Sequence, residues 1–152
     1  MNKLHTLHNQ AMDLAFLGDQ KLQSGDKEEA LKLFSQAFKS EKEAAELAEA
    51  EGNPEPGLSI LFRSAATLAY QCGELREAEK LVAHALAGNT PKDIAVELRE
   101  LLQQIYSDNE LMESRNELSL HIRIPKSEST MFNTIAKRMG WSSAIFRKIA
   151  VL

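Results

Sequence analysis

The chain has 152 residues, 43% hydrophobic and 26% charged, a balance that suits one globular domain with at most a small appendage and leaves no stretch apolar enough to span a membrane. Its single cysteine, Cys72, excludes an intrachain disulfide, and the opening Met1-Asn2-Lys3-Leu4-His5 offers no apolar leader core, so a cytoplasmic chain is expected. The net charge of −4 hides a division, because residues 1–117 hold 12 Lys+Arg against 21 Asp+Glu, a net −9, while residues 118–152 hold 6 against 1, a net +5.

Leu4, Leu7, Ala11, Leu14, Ala15 and Leu22 recur at helical spacing and predict a helix over 3–24, closed by Ser24-Gly25-Asp26. Asp26, with Glu29 three residues later, is the N-cap of a second helix over 27–51 whose apolar face begins with Leu31, Phe34, Ala37 and Phe38. The glutamates from Glu41 to Glu55 read as a solvated helical face, and Gly52-Asn53-Pro54-Glu55-Pro56-Gly57 ends that helix. Helices over 57–72 and 75–87 follow, separated by Gly73-Glu74. Gly88-Asn89 then stops the chain before a fifth helix over 91–106, with Thr90 as its cap, Pro91 at its first position, and Ile94, Leu98, Leu101, Leu102 and Ile105 on one face.

Leu17-Gly18, Gly25-Asp26, Glu29-Ala30-Leu31, Phe34 and Ala37-Phe38 carry a resemblance to the tetratricopeptide repeat. The pattern recurs at Phe62, Ala65-Ala66, Ala69, Gly73-Glu74, Glu77-Ala78, Val82 and Ala85-Leu86. Ala30 and Ala78 stand 48 residues apart, against about 34 for tandem repeats of that family, so the second helix is expected to be longer than standard. The resemblance implies antiparallel helical hairpins with Gly18 and Ala30 at the close crossing and Ala78 at the equivalent one. It also implies a binding groove on the first helix of each hairpin, formed by Phe16, Asp19 and Gln23 and by Arg63, Ser64, Thr67, Tyr70 and Gln71. In that role Arg63 would pair a carboxylate, Tyr70 would offer an apolar platform, and Gln71 would read backbone amides.

After the fifth helix the period changes. Leu118, Leu120, Ile122 and Ile124 alternate with Ser119, His121 and Arg123, which predicts a strand ending at Pro125. Met131, Ile135 and Met139 return to helical spacing until Gly140, and Ser142 or Ser143 caps a last short helix. Ile122-Arg123-Ile124-Pro125, Phe132, Ile135-Ala136, Gly140, Ser142-Ser143 and Arg147 together resemble a ribbon-helix-helix module. That resemblance implies a paired ribbon whose Ser119, His121 and Arg123 face base edges while the amides at Ser142 and Ser143 hold a phosphate. The same strand and helices would equally serve by packing on the acidic body or on a second subunit.

The expected architecture is therefore mainly α, with a tetratricopeptide-like domain over 1–115 and a basic strand-helix-helix tail over 118–152. Catalysis is not expected. His5 and His8 lie three apart without a third metal ligand, Cys72 has no histidine beside it, His84 reads as an exposed residue, and no phosphate loop, dinucleotide fingerprint, nucleophile elbow or zinc spacing occurs. Neither a cofactor nor a metal is implied. The expected function is a non-enzymatic protein-interaction module that self-associates, a homodimer in the simplest case. The alternative is an antitoxin-like regulator whose acidic body binds a protein and whose tail binds duplex DNA.

Overall fold

The structure, a computed structural model, describes residues 2–119, with side-chain surroundings described for 2–115. Five helices account for it: α1 (Lys3–Gln23), α2 (Lys27–Ala50), α3 (Gly57–Gln71), α4 (Leu75–Ala87) and α5 (Lys92–Ser119). The first four match the predicted boundaries to within a residue at each end. No strand occurs among the described residues, and no helix there is long and apolar enough to cross a membrane.

Local chemistry sets the helix ends. Asn2 opens α1 by accepting the Leu4 amide at 3.1 Å, and Asp26 opens α2 by accepting the Glu29 amide at 3.2 Å, each satisfying a donor with no partner inside the helix. At the far ends of α1 and α3, Gly25 and Gly73 take φ of 85° and 84°. The next amides, Asp26 and Glu74, reach back to the carbonyls of Lys21 and Ala69 at 2.9 and 2.8 Å. This wrapped C-terminal turn needs a left-handed residue, which glycine supplies without a Cβ clash. The end of α2 repeats it, with Gly52 at φ 69° and the Asn53 amide on the Ala48 carbonyl at 2.9 Å, so α1, α2 and α3 all close with the same turn.

Alanine dominates the contact surfaces. Ala30, Ala37, Ala44, Ala45 and Ala48 of α2, Ala65, Ala66 and Ala69 of α3, and Ala78 and Ala85 of α4 are all buried in one core with Phe34, Phe38, Phe62, Leu81 and Val82. Small side chains let helix axes approach, and the aromatic rings fill the space between. Gly18 of α1 marks a close approach, where an added Cβ would stand 2.8 Å from Cε1 of Phe34. α1 packs on α2, α2 on α3 and α3 on α4, and polar links join alternate helices. Lys42 of α2 bonds Glu77 of α4 at 2.9 Å, and Arg63 of α3 bonds Glu97 of α5 at 2.7 Å. Ile94, Leu98, Leu101 and Ile105 of α5 complete the core.

Three expectations about α5 require correction. Thr90 does not cap it; its hydroxyl turns back to the Ala85 carbonyl and lies 3.0 Å from Ser59 Oγ, while the Ala95 amide donates to Pro91 O. The helix also runs to Ser119 instead of stopping near 106. No glycine or proline interrupts the chain from Lys92 to Ser119, and Glu110, Leu111, Met112, Glu113 and Arg115 are strong helix formers, so nothing local ends it. Leu118 and Ser119 therefore belong to α5 and not to a strand. The rest of the expected ribbon and both later helices lie outside the described residues. The chain divides into two compact units, Met1–Ser107 and Asp108–Leu152; the described part of the second is the end of α5.

Candidate functional site

Phe16, Asp19 and Gln23 follow one another at three- and four-residue steps on α1, which puts them on a single face together with Met12. All four are exposed. Phe16 is the extreme case, a phenyl ring that is 63% accessible in the middle of a helix. On α3 the same spacing aligns Ile60, Ser64, Thr67 and Gln71, flanked by Arg63 and Tyr70. Val96, Glu100 and Gln103 repeat it on α5, all exposed. Met12, Ile60 and Val96, one each on α1, α3 and α5, are exposed large apolar residues.

The polar members are only partly free. Arg63 does not await a carboxylate, since its guanidinium already donates to Glu97 of α5. The side-chain periodicity of α3 could not reveal this, because the partner comes from a helix 34 residues further along. Thr67 turns its hydroxyl back to the Arg63 carbonyl at 2.9 Å. Tyr70 is half-buried and packs on the core, so its ring is less of a platform than expected. Ser64 is half-buried, and Gln71 is exposed. Of the nucleic-acid candidates, Ser119 is the last residue of α5; His121, Arg123, Ser142 and Ser143 lie outside the described residues.

Behind the α1 face sits a feature opposite to expectation. Glu41 does not belong to a solvated row: its accessibility is 0%, and His8 Nδ1 lies 3.0 and 3.1 Å from its two carboxylate oxygens. Position explains it. Phe34, Ala37, Phe38, Glu41, Ala44, Ala45 and Ala48 step by three and four along the buried stripe of α2, so helix geometry carries this carboxylate into the core, where a partner is obligatory. His8, half-buried on α1, supplies that partner. His5, by contrast, is exposed.

Other titratable groups are structural in their setting. Glu77 bridges Lys80 at 2.8 Å and Lys42 at 2.9 Å, and these hydrogen bonds and charges lower its carboxyl from the usual range to about 2. Burial pushes the Cys72 thiol up, away from the reactive thiolate, and its sulfur contacts the Ala69 carbonyl. His84 is exposed, as expected, and bonds Glu49 at 2.7 Å with its ring 4.7 Å from that of Phe62. No grouping of three or more His, Cys, Asp or Glu suited to a metal occurs among the described residues. Comparison with family models, with curated proteins and with solved structures finds no match to this chain.

Proposed function

We propose that the chain is a non-catalytic protein-interaction module of tetratricopeptide type, in which the exposed faces of α1 and α3, continued on α5, receive a segment of a partner protein. The observation that carries this is that Met12 and Phe16 on α1, Ile60 on α3 and Val96 on α5 are large apolar side chains left exposed. Large apolar side chains held in water cost solvation free energy, and a face that carries several of them is one that a partner can cover. The repeat character is supported by the buried Ala30 and Ala78, and by the links of α2 to α4 and of α3 to α5 over 35 and 34 residues. Self-association through the same surfaces is part of the proposal and is read by sedimentation.

Selection of a displayed random-peptide library on the full chain tests it. Enriched peptides should bind in fluorescence anisotropy, and Phe16→Asp and Ile60→Asp should each weaken binding at least about tenfold, on the order of 1.4 kcal/mol, while circular dichroism stays unchanged. Failure to enrich any peptide, or wild-type affinity in both variants, would remove the proposal. A second reading, contact with duplex DNA, is favoured by the net +5 of residues 118–152 against the −9 before them. It requires binding that weakens steeply with salt.

A further inference from the structure

Lys3 with Glu43 and His8 with Glu41 tie α1 to α2, and the two contacts differ in kind. Lys3 and Glu43 are both exposed, so their attraction is screened and weak. Glu41 has no access to solvent, and both of its carboxylate oxygens turn to Nδ1 of His8. An ionised carboxylate only accepts hydrogen bonds, so Nδ1 carries the proton between them. His8 itself is half-buried, which lets its proton exchange with solvent while the core stays closed.

The surroundings supply no substitute charge. On the buried stripe of α2, Ala37, Phe38, Ala44 and Ala45 flank Glu41 a turn to either side. Lys39 and Glu43 of α2 are exposed, and Lys42 is bonded to Glu77. On α1, His5 and Asp13 are exposed and Lys3 is held by Glu43. The one charged side chain of α3, which packs on α2, is Arg63, already bonded to Glu97; its other titratable group is Tyr70, which packs on the core. The charge of Glu41 is therefore balanced by His8, and only while the imidazole holds both ring protons. With one proton lost, Nδ1 still donates, yet a full negative charge remains in an apolar setting, which lifting α1 would return to water.

The sign follows from linkage. Imidazoles in water titrate between about pH 5 and 8. The contribution of the charged pair is present below that range and is lost as pH rises through it, by up to about tenfold in the seating equilibrium per pH unit. Among the helices α1 packs extensively on α2 alone, so it can lift while α2, α3 and α4 stay together.

We propose that His8 and Glu41 form a proton-operated latch, which seats α1 on α2 while His8 is charged and loosens α1 as pH rises past neutrality, uncovering Phe34. Because α1 carries Met12 and Phe16, loosening it would also dismantle the partner face; that consequence alone rests on the proposed function. The test is NMR-resolved amide hydrogen exchange of the full chain, without a partner, at about pH 6.5 and 8.5. Protection factors remove the intrinsic base-catalysed rise in exchange. Protection of the Ala11 and Ala15 amides of α1 should fall at least about tenfold across that range. At each pH it should lie below that of Ala65 and Ala66 in α3, since α1 opens before the rest. Glu41→Gln, which removes the buried charge, and His8→Arg, which makes its partner permanently cationic, should each hold the fall to less than about twofold. Flat protection in the wild type, an equally steep fall in either variant, or equal protection of the α1 and α3 amides would overturn the latch.

Discussion

Gly18→Ala sets two physical effects against each other at the α1–α2 crossing. In an isolated helix the substitution would stabilise by about 1 kcal/mol, because alanine restricts the unfolded chain more than glycine does. Here the new methyl would sit 2.8, 3.0 and 3.1 Å from Cε1, Cδ1 and Cζ of Phe34, whereas carbon atoms prefer separations of roughly 3.5–4.0 Å. Phe34 is buried, so its ring has no solvent-side freedom and the helices must separate. Overpacking of that kind costs about 1–3 kcal/mol, leaving a net loss of about 1 kcal/mol. The sign is best isolated by a double-mutant cycle with Phe34→Leu, followed by urea denaturation. Phe34→Leu alone destabilises. Gly18→Ala on that background should then stabilise, because the ring it collides with is gone, giving a coupling of about 1–3 kcal/mol. A stabilising Gly18→Ala in the wild-type background, or the same effect in both backgrounds, would refute the close-approach argument.

The remaining predictions concern the same body. His8→Ala should destabilise by about 2–4 kcal/mol, since it leaves the fully buried Glu41 carboxylate without its partner; Glu41→Leu should then rescue much of the loss in thermal melts, and failure to do so would deny Glu41 its buried place. Ala78→Leu should cost about 1–3 kcal/mol by chemical denaturation, because the Ala78 position is fully buried. Glu77 has its folded carboxyl lowered from 4.5 to about 2, so its contribution is present above pH 4.5 and is lost as pH falls toward 2. Glu77→Gln should accordingly flatten the decline of stability across that window, and an unchanged acid profile would count against the Lys42–Glu77–Lys80 bridge.

Much of the body was legible because its punctuation is chemical. Gly25, Gly73 and Gly88 fall at helix ends, Asp26 caps α2 as its spacing with Glu29 implied, and Ala30 and Ala78 lie buried. Glu41 was misread for an instructive reason. Composition marks it as one glutamate among many, yet the stripe running from Phe34 through Ala37 and Phe38 to Ala44, Ala45 and Ala48 passes directly through position 41. Periodicity should outweigh residue type there, and a charged residue on an apolar stripe should prompt a search for its partner. His8 could be guessed only after α1 and α2 were paired in register.

The end of α5 and the binding face expose a different limit. Alternation at Leu118, Leu120, Ile122 and Ile124 suggested a strand, but a short alternating run competes with whatever helix is already propagating into it. Adding one residue to an existing helix forms a hydrogen bond at the cost of a single residue's freedom, whereas a strand must find a partner before it gains anything. With strong helix formers from Glu110 to Arg115 and no breaker, propagation carries α5 through Ser119. The ribbon, had it begun at Leu118, would have presented Ser119 to the groove; within a helix, that residue cannot share the alternation that placed it there. The exposure of Met12, Ile60 and Val96 was hidden for the opposite reason, since each residue alone looks like a member of its own helix's apolar face. Only the packing of α1, α3 and α5 distinguishes the apolar residues the core consumes, such as Phe62 and Leu98, from those it leaves in water.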